Sequence, residues 1–296
     1  MTTCPDTLCL GALGWDTVGH SAASLPVGAD VAGRVSCQPG GVALNIARGL
    51  ARAGRRPALL SAVGDDPEGA ALLAACRAMG LDTRHVLHQP GQPTGRYLAI
   101  EGPQGLVAAI ADTGALLAAG AAVIAPLTAG PLGSAEAPYP GPLVIDGNLD
   151  AALLARLARE PALARADLRV VAASPAKAGR LAPFLACAHA TLYLNRAEAA
   201  ALLAMPLPDA AAAAGALAAA GAARVLVTDG AGPAAALAGG TILTARPHRV
   251  RAGRVTGAGD ALVAAHIAAA LAGATPQSAL AAALAAAADH ITGTTP

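Results

Sequence analysis

The stretch VTGAGDALVAAH, residues 255–266, sets Gly257, Ala258 and Gly259 directly before Asp260 and then runs into an apolar helical pattern. It has two physical readings. Small residues let the backbone approach an anion, and the first amides of the following helix are unpaired donors at the positive end of its dipole. An aspartate there can act as a base beside the reacting atoms. It can equally be a polar cap on a glycine-rich helix start. Short glycine motifs recur by chance, so the rest of the chain has to decide.

Upstream, LCLGALG (8–14) reads as a buried strand ending in a glycine turn, with Asp16 just beyond it. GGVALNIARGLARAG (40–54) opens on a glycine pair and becomes a helix, with Arg48, Arg52 and Arg55 expected on its solvent side. PALLSAVGDD (57–66) is a strand and turn, and EGAALLAACRAMG (68–80) a helix. LVIDGN, LRVVAAS, ATLYLN and ARVLVTDG follow as further strands, each succeeded by an alanine-rich segment of high helix propensity. Strand alternating with helix predicts an α/β fold of three layers, α/β/α, around a central mostly parallel sheet.

The alternation breaks at about 17–38 and 93–113, which lack helix signals. The second reads as a hairpin with EGPQG as its turn. Both are expected to form a small β lid on a single domain covering 1–296.

Composition narrows the function. The 296 residues are 55% hydrophobic but only 2% aromatic, which implies a core of many small side chains on closely packed elements. A net charge of +1 suggests neither a nucleic-acid nor a membrane-surface partner. The strongest apolar run, 261–274, contains His266 and falls short of the roughly 20 apolar residues a membrane span needs. The N-terminal residues lack the basic region of a signal peptide. Five cysteines without CxxC spacing read as free thiols, so a soluble cytoplasmic protein is expected.

In an open parallel sheet, ligands sit outside the carboxyl ends of the strands. Polar residues recur there: Asp16, Asp65, Asp146 with Asn148, Ser174, Asn195 with Glu198, Thr228 with Asp229, and Asp260. Gly40 and Gly41 would let substrate hydroxyls reach the backbone, and Asn45 offers both a donor and an acceptor. That segment is also explained as a tight turn with a capping amide. Asn195 and Glu198 could hold hydrated magnesium beside phosphates, or form a capping box at a helix start. VTDG (227–230) could line a nucleotide cleft or simply make a turn.

Taken in order, GGVALNIARGLARAG, NRAEAAALL, VLVTDG and VTGAGDALVAAHIAAALAG resemble the PfkB (ribokinase-like) carbohydrate and nucleoside kinases over nearly the whole chain. GAGD followed by an apolar helix is the most specific mark. Within that family, PVGADVAGRVSCQPGGVALNIA, PTGRYLAIEGPQGLVAAIADT and ASPAKAGRL look most like the pseudouridine kinase group.

The resemblance implies an ATP-dependent kinase acting on the 5′-hydroxyl of pseudouridine, with ribose, another sugar or another nucleoside as the alternative acceptor. It implies Asp260 as the base and the amides of Gly257, Ala258 and Gly259 as an anion hole. It places Asp16, Gly40, Gly41, Asn45 and Asp112 at the acceptor. Asn195 and Glu198 would organise Mg-ATP, with the metal held through water. Thr228 and Gly230 would line the nucleotide cleft, with Ser174 and Lys177 near ATP or the base, although Lys177 is equally well read as a solvent-facing helix residue. A homodimer formed through the lid is a further implication.

Four positions depart from the family pattern. Arg254 and Val255 replace residues of a monovalent-cation site, so a cation requirement is not carried over. Leu44 stands where pseudouridine kinases often have arginine, and Pro233 where the nucleotide-side turn usually has glycine. A non-catalytic sugar or nucleoside sensor of the same fold is the competing class, and retention of Asp260 with its three small neighbours argues against it. A Rossmann dehydrogenase fails because LGALGWD is not a G-x-G-x-x-G turn opening a helix.

Overall fold

The computed structural model describes residues 5–250 and 256–293. The chain runs β1 (Thr7–Leu10), β2 (Gly14–His20), β3 (Arg34–Gly40), α1 (Val42–Arg52), β4 (Pro57–Gly64), α2 (Pro67–Ala78) and β5 (Asp82–Gln89). It continues through β6 (Arg96–Gly102), β7 (Gly105–Asp112), α3 (Gly114–Ala119), α4 (Ala125–Thr128), a small ribbon of β8 (Ala129–Gly130) and β9 (Gly133–Ser134), β10 (Pro142–Asp146) and α5 (Ala151–Leu157). Next come β11 (Asp167–Val171), α6 (Pro175–Ala178), β12 (Ala190–Asn195), α7 (Arg196–Leu203), α8 (Ala210–Ala219) and β13 (Arg224–Thr228). The last elements are β14 (Ala234–Ala238), β15 (Thr241–Ala245), α9 (Ala258–Leu271) and α10 (Pro276–Thr292).

Nine strands form the main sheet in the order β15-β14-β13-β12-β11-β10-β1-β4-β5. Pairing is parallel from β13 through β5 and antiparallel only at β13–β14 and β14–β15. Strands such as β1 and β4 are continuous aliphatic runs because both faces of a parallel sheet are covered. Alternate residues divide between two cores. Leu8, Leu10 and Leu60 pack with α3, α5, α7 and α8, whereas Cys9, Leu59 and Val63 pack with α1, α2, α9 and α10. This is the expected α/β/α layering. Alanine dominates the helix faces, and Phe184 is the largest fully buried side chain.

The two segments without helix signals form a separate four-stranded sheet, β3-β2-β6-β7. Gly102 pairs with Gly105 around the anticipated hairpin turn. Two expectations fail elsewhere. The alanine-rich segment after VLVTDG is the strand β14 and not a helix, because it pairs antiparallel with both neighbours and turns back at Gly239–Gly240. The edge strand β5, DTRHVLHQ, is polar and carries no strand signal in its sequence. Among the described residues, no helix is long and apolar enough to cross a membrane.

Candidate active site

The carboxyl ends of the main strands and the second sheet enclose one cavity of about 650 Å³. Asp16, Gly41, Asn45, Asp112, Ser174, Lys177, Asn195, Glu198, Thr228, Gly257, Gly259 and Asp260 all line it, although they come from the full length of the chain. Gly40, Ala258 and Gly230 are not among its lining residues. Gly40 lies beneath Asp16, and Ala258 is buried in the first turn of α9. Gly230 is an exposed turn residue with φ +56°.

At the centre stands the opening stretch of sequence. Gly257 is the N-cap of α9, in a left-handed conformation with no side-chain cap bond. Asp260 therefore occupies the first turn without capping it. Its Oδ2 instead accepts from Asn45 Nδ2 at 2.9 Å. Burial pushes the Asp260 carboxyl up to about 7, reinforced by the negative charges of Asp146 and Asp16 and opposed by the Asn45 bond and Arg48. The residue still faces the cavity, so a base near neutrality is in reach of a bound molecule.

Asn45 is engaged at both ends of its amide, because Oδ1 accepts from Arg48 Nη2 at 3.0 Å. An acceptor hydroxyl would have to share it. Arg48 is half-buried and reaches the site through Asn45, since it does not itself line the cavity, and Arg52 is exposed as expected. The position of Arg48 three residues after Asn45, one helical turn on, permits this bond.

Two glycines are set by close approach. A Cβ on Gly40 would lie 2.0 Å from the Asp16 carboxyl carbon, and one on Gly41 would lie 2.4 Å from the Ala12 carbonyl oxygen, at a φ of +104°. The pair therefore leaves room for buried Asp16 to reach the cavity. Asp112 ends β7 at the exposed rim, where Oδ1 accepts from the Gly114 amide at 2.9 Å.

On the opposite side, buried Asp146 accepts at 2.8 Å from the Ala12 amide and from both the amide and side chain of Asn148. Burial still holds its carboxyl above the usual range. Lys177 donates to Asn148 Oδ1 at 2.6 Å, so its ammonium points inward and not to solvent. Burial lowers its pKa, partly offset by Asp146.

Asn195 and Glu198 form the reciprocal capping box of α7, with Glu198 N–H donating to Asn195 Oδ1 at 2.9 Å and Asn195 N–H to Glu198 Oε2 at 2.7 Å. Burial raises the Glu198 carboxyl. Among the described residues, no group of three or more His, Cys, Asp or Glu could hold a metal directly. This donor set fits a magnesium ion carried on phosphate oxygens and reached through water. Arg254 and Val255 lie outside the described residues.

Arg96, Tyr97, Asn148, Tyr193 and Thr256 also line the cavity. Of these, only Asn148 stands out in the sequence as a polar residue at a strand end. Alternation along β6 gave no hint that Arg96 and Tyr97 would face the cleft.

A parallel sheet with its cleft at the strand ends, a carboxyl raised toward neutrality and a glycine-opened helix start thus meet in one place. The chain belongs to the pfkB family of carbohydrate kinases, whose pattern matches residues 6–294. Over 91 residues, or 31% of its length, it is 38% identical to the uncharacterized sugar kinase YeiI and 37% identical to pseudouridine kinase, both of Escherichia coli K12. The chain spans only 25% and 29% of those curated relatives.

A carbohydrate kinase from Agrobacterium tumefaciens superposes with a TM-score of 0.76 at 28% identity, covering 99% of this chain and 92% of that one. Arabidopsis thaliana ribokinase complexed with ribose and ATP gives 0.76 at 18% identity, covering 98% and 93%, which speaks for the fold.

Proposed function

We propose that the protein phosphorylates the 5′-hydroxyl of pseudouridine with ATP. The observation that carries the kinase chemistry is the Asp260 carboxylate, raised to about 7 and held toward the cleft by Asn45 at the first turn of α9. Asp260 takes the proton of the primary hydroxyl, and that oxygen forms a bond to the γ-phosphorus as the bond to ADP breaks. Proton transfer of this kind contributes about 10²–10⁴ in rate. The turn of Gly257 and Gly259, with buried Ala258 between them, is the element assigned to the charge growing on the transferred group, and fixed amide donors need no reorganisation as the reaction proceeds.

Asp16 and Gly41 bind ribose hydroxyls, with Gly40 making room for Asp16 and Asp112 closing the rim. Thr228 and Ser174 line the nucleotide side, and Lys177 with Asn148 sits toward the phosphates. Asn195 and Glu198 organise Mg-ATP through water. Magnesium, when bound, neutralises phosphate charge.

Pseudouridine is favoured over a bare sugar by the resemblance of three sequence segments, whereas the 37% identity to pseudouridine kinase over 91 residues is matched by 38% to a sugar kinase. Leu106, Ala109 and Ala111 of β7 also give the acceptor side an apolar wall of mostly small residues, with space for a base. A panel of pseudouridine, uridine, adenosine and ribose, read by ADP release, tests the assignment. Turnover of ribose or adenosine with none of pseudouridine refutes it.

We further read the four-stranded sheet as a lid on a single cytoplasmic domain. Leu98, Ile100, Val107 and Ile110 are 42–67% exposed on this sheet, an apolar surface suited to pairing with a second copy. Concentration-dependent sedimentation tests the dimer.

A further inference from the structure

Thr256, the residue before the α9 N-cap, is gripped from two sides. Its hydroxyl donates to Glu101 Oε1 at 2.8 Å. Its carbonyl accepts from His290 Nε2 at 2.9 Å, which requires that ring nitrogen to carry its hydrogen. Glu101 belongs to the second sheet, where it pairs with His20 of β2 and Leu106 of β7. His290 lies in the last turn of α10.

The imidazole also packs on the N-cap itself. A Cβ on Gly257 would lie 3.2 Å from both His290 Cε1 and Nε2. Among the described residues, no side chain hydrogen-bonds the first peptide planes of α9 as a cap. Those planes carry the amides assigned to the phosphoryl group. Their orientation is set from outside, by one contact from the C-terminal helix and one from the sheet that carries Asp16, Arg96 and Tyr97.

We propose that Glu101 and His290 are positioning residues that hold the Gly257–Gly259 amides in register with the cleft. Glu101 thereby makes that register depend on the seat of the second sheet. The inference rests on reading the α9 turn as the phosphoryl cradle. Such a device suits a kinase. The cradle is aligned only while the sheet that binds the acceptor is in place, and ATP is protected from water until then. It also couples acceptor and phosphoryl sites energetically, because the two share one adjustable element.

The test uses the full chain and a probe that mimics the flying phosphoryl group: Mg-ADP with aluminium fluoride, compared with Mg-ADP alone by calorimetry. Thr256→Val and Glu101→Ala should each weaken the fluoroaluminate complex about tenfold, a modest fraction of the effect of deleting a cradle donor. Mg-ADP alone should bind within about twofold of wild type. The double variant should be no weaker than either single one, because both remove the same bond. Glu101→Gln, which still presents an acceptor oxygen, should restore binding. His290→Phe should show the same loss and His290→Gln should recover it.

Losses that multiply in the double variant, equal weakening of Mg-ADP alone, or full binding in all variants would each overturn the proposal. Failure of the cradle reading itself looks different. In that case wild type gains nothing from aluminium fluoride.

Discussion

Asp260→Asn should stabilise the empty protein at alkaline pH. The carboxyl is moved from 3.8 to about 7 by burial first, then by Asp146 and Asp16. The folded state therefore binds a proton that the unfolded chain has lost, and stability falls as pH rises between those two values. Asparagine removes the charge while keeping an oxygen for Asn45 Nδ2. Between pH 5 and about 7 the variant should gain on wild type by at most about 2.7 kcal/mol, at 1.36 kcal/mol per pH unit. Water entering the open cleft screens part of this, leaving a gain on the order of 1 kcal/mol. Thermal unfolding at pH 5 and pH 8 without nucleotide should show the midpoint difference widening by about 2–4 °C. A difference that stays constant, or that shrinks as pH rises, refutes the assignment of a carboxyl raised by desolvation.

Other substitutions probe the surroundings. Gly40→Ala should raise KM for the acceptor about tenfold or more with KM for ATP unchanged, because its Cβ would occupy the place of the Asp16 carboxyl. Parallel changes in both KM values would contradict this. Lys177→Met should weaken ATP by about tenfold, near the value of one charge-assisted hydrogen bond, with acceptor KM unmoved. Tyr193→Phe should lower stability by about 1–3 kcal/mol in denaturant titration. The Tyr193 hydroxyl accepts from Arg169 Nη1 at 3.0 Å and meets His266 Nδ1 at 2.9 Å, and both partners are left wanting without it.

The sequence carried the architecture where chemistry and geometry coincide. Fully buried parallel strands must be aliphatic on both faces, so β1, β4 and β10 to β13 were legible as runs. The strand β14 was not, because alanine serves a tightly packed strand as well as a helix, and only pairing with β15 decides. The polar edge strand β5 offered no periodicity. Strand-end polar residues were legible as a site because few charged residues interrupt the chain elsewhere. The bond from Arg48 to Asn45 was not legible, because helical spacing allows such a pair without requiring it. The contact of Glu101 with Thr256 spans 155 positions, beyond any local pattern.

The central claim is that Asp260 is the base for phosphoryl transfer. It is tested most directly by the pH dependence of kcat/KM for pseudouridine in wild type and Asp260→Asn at saturating Mg-ATP. In wild type the rate should fall about tenfold per pH unit below about 7, as the carboxylate takes up its proton. The variant should lose at least about 100-fold and show no such limb. Near-wild-type turnover in Asp260→Asn, or the same acidic limb in the variant, would contradict the account.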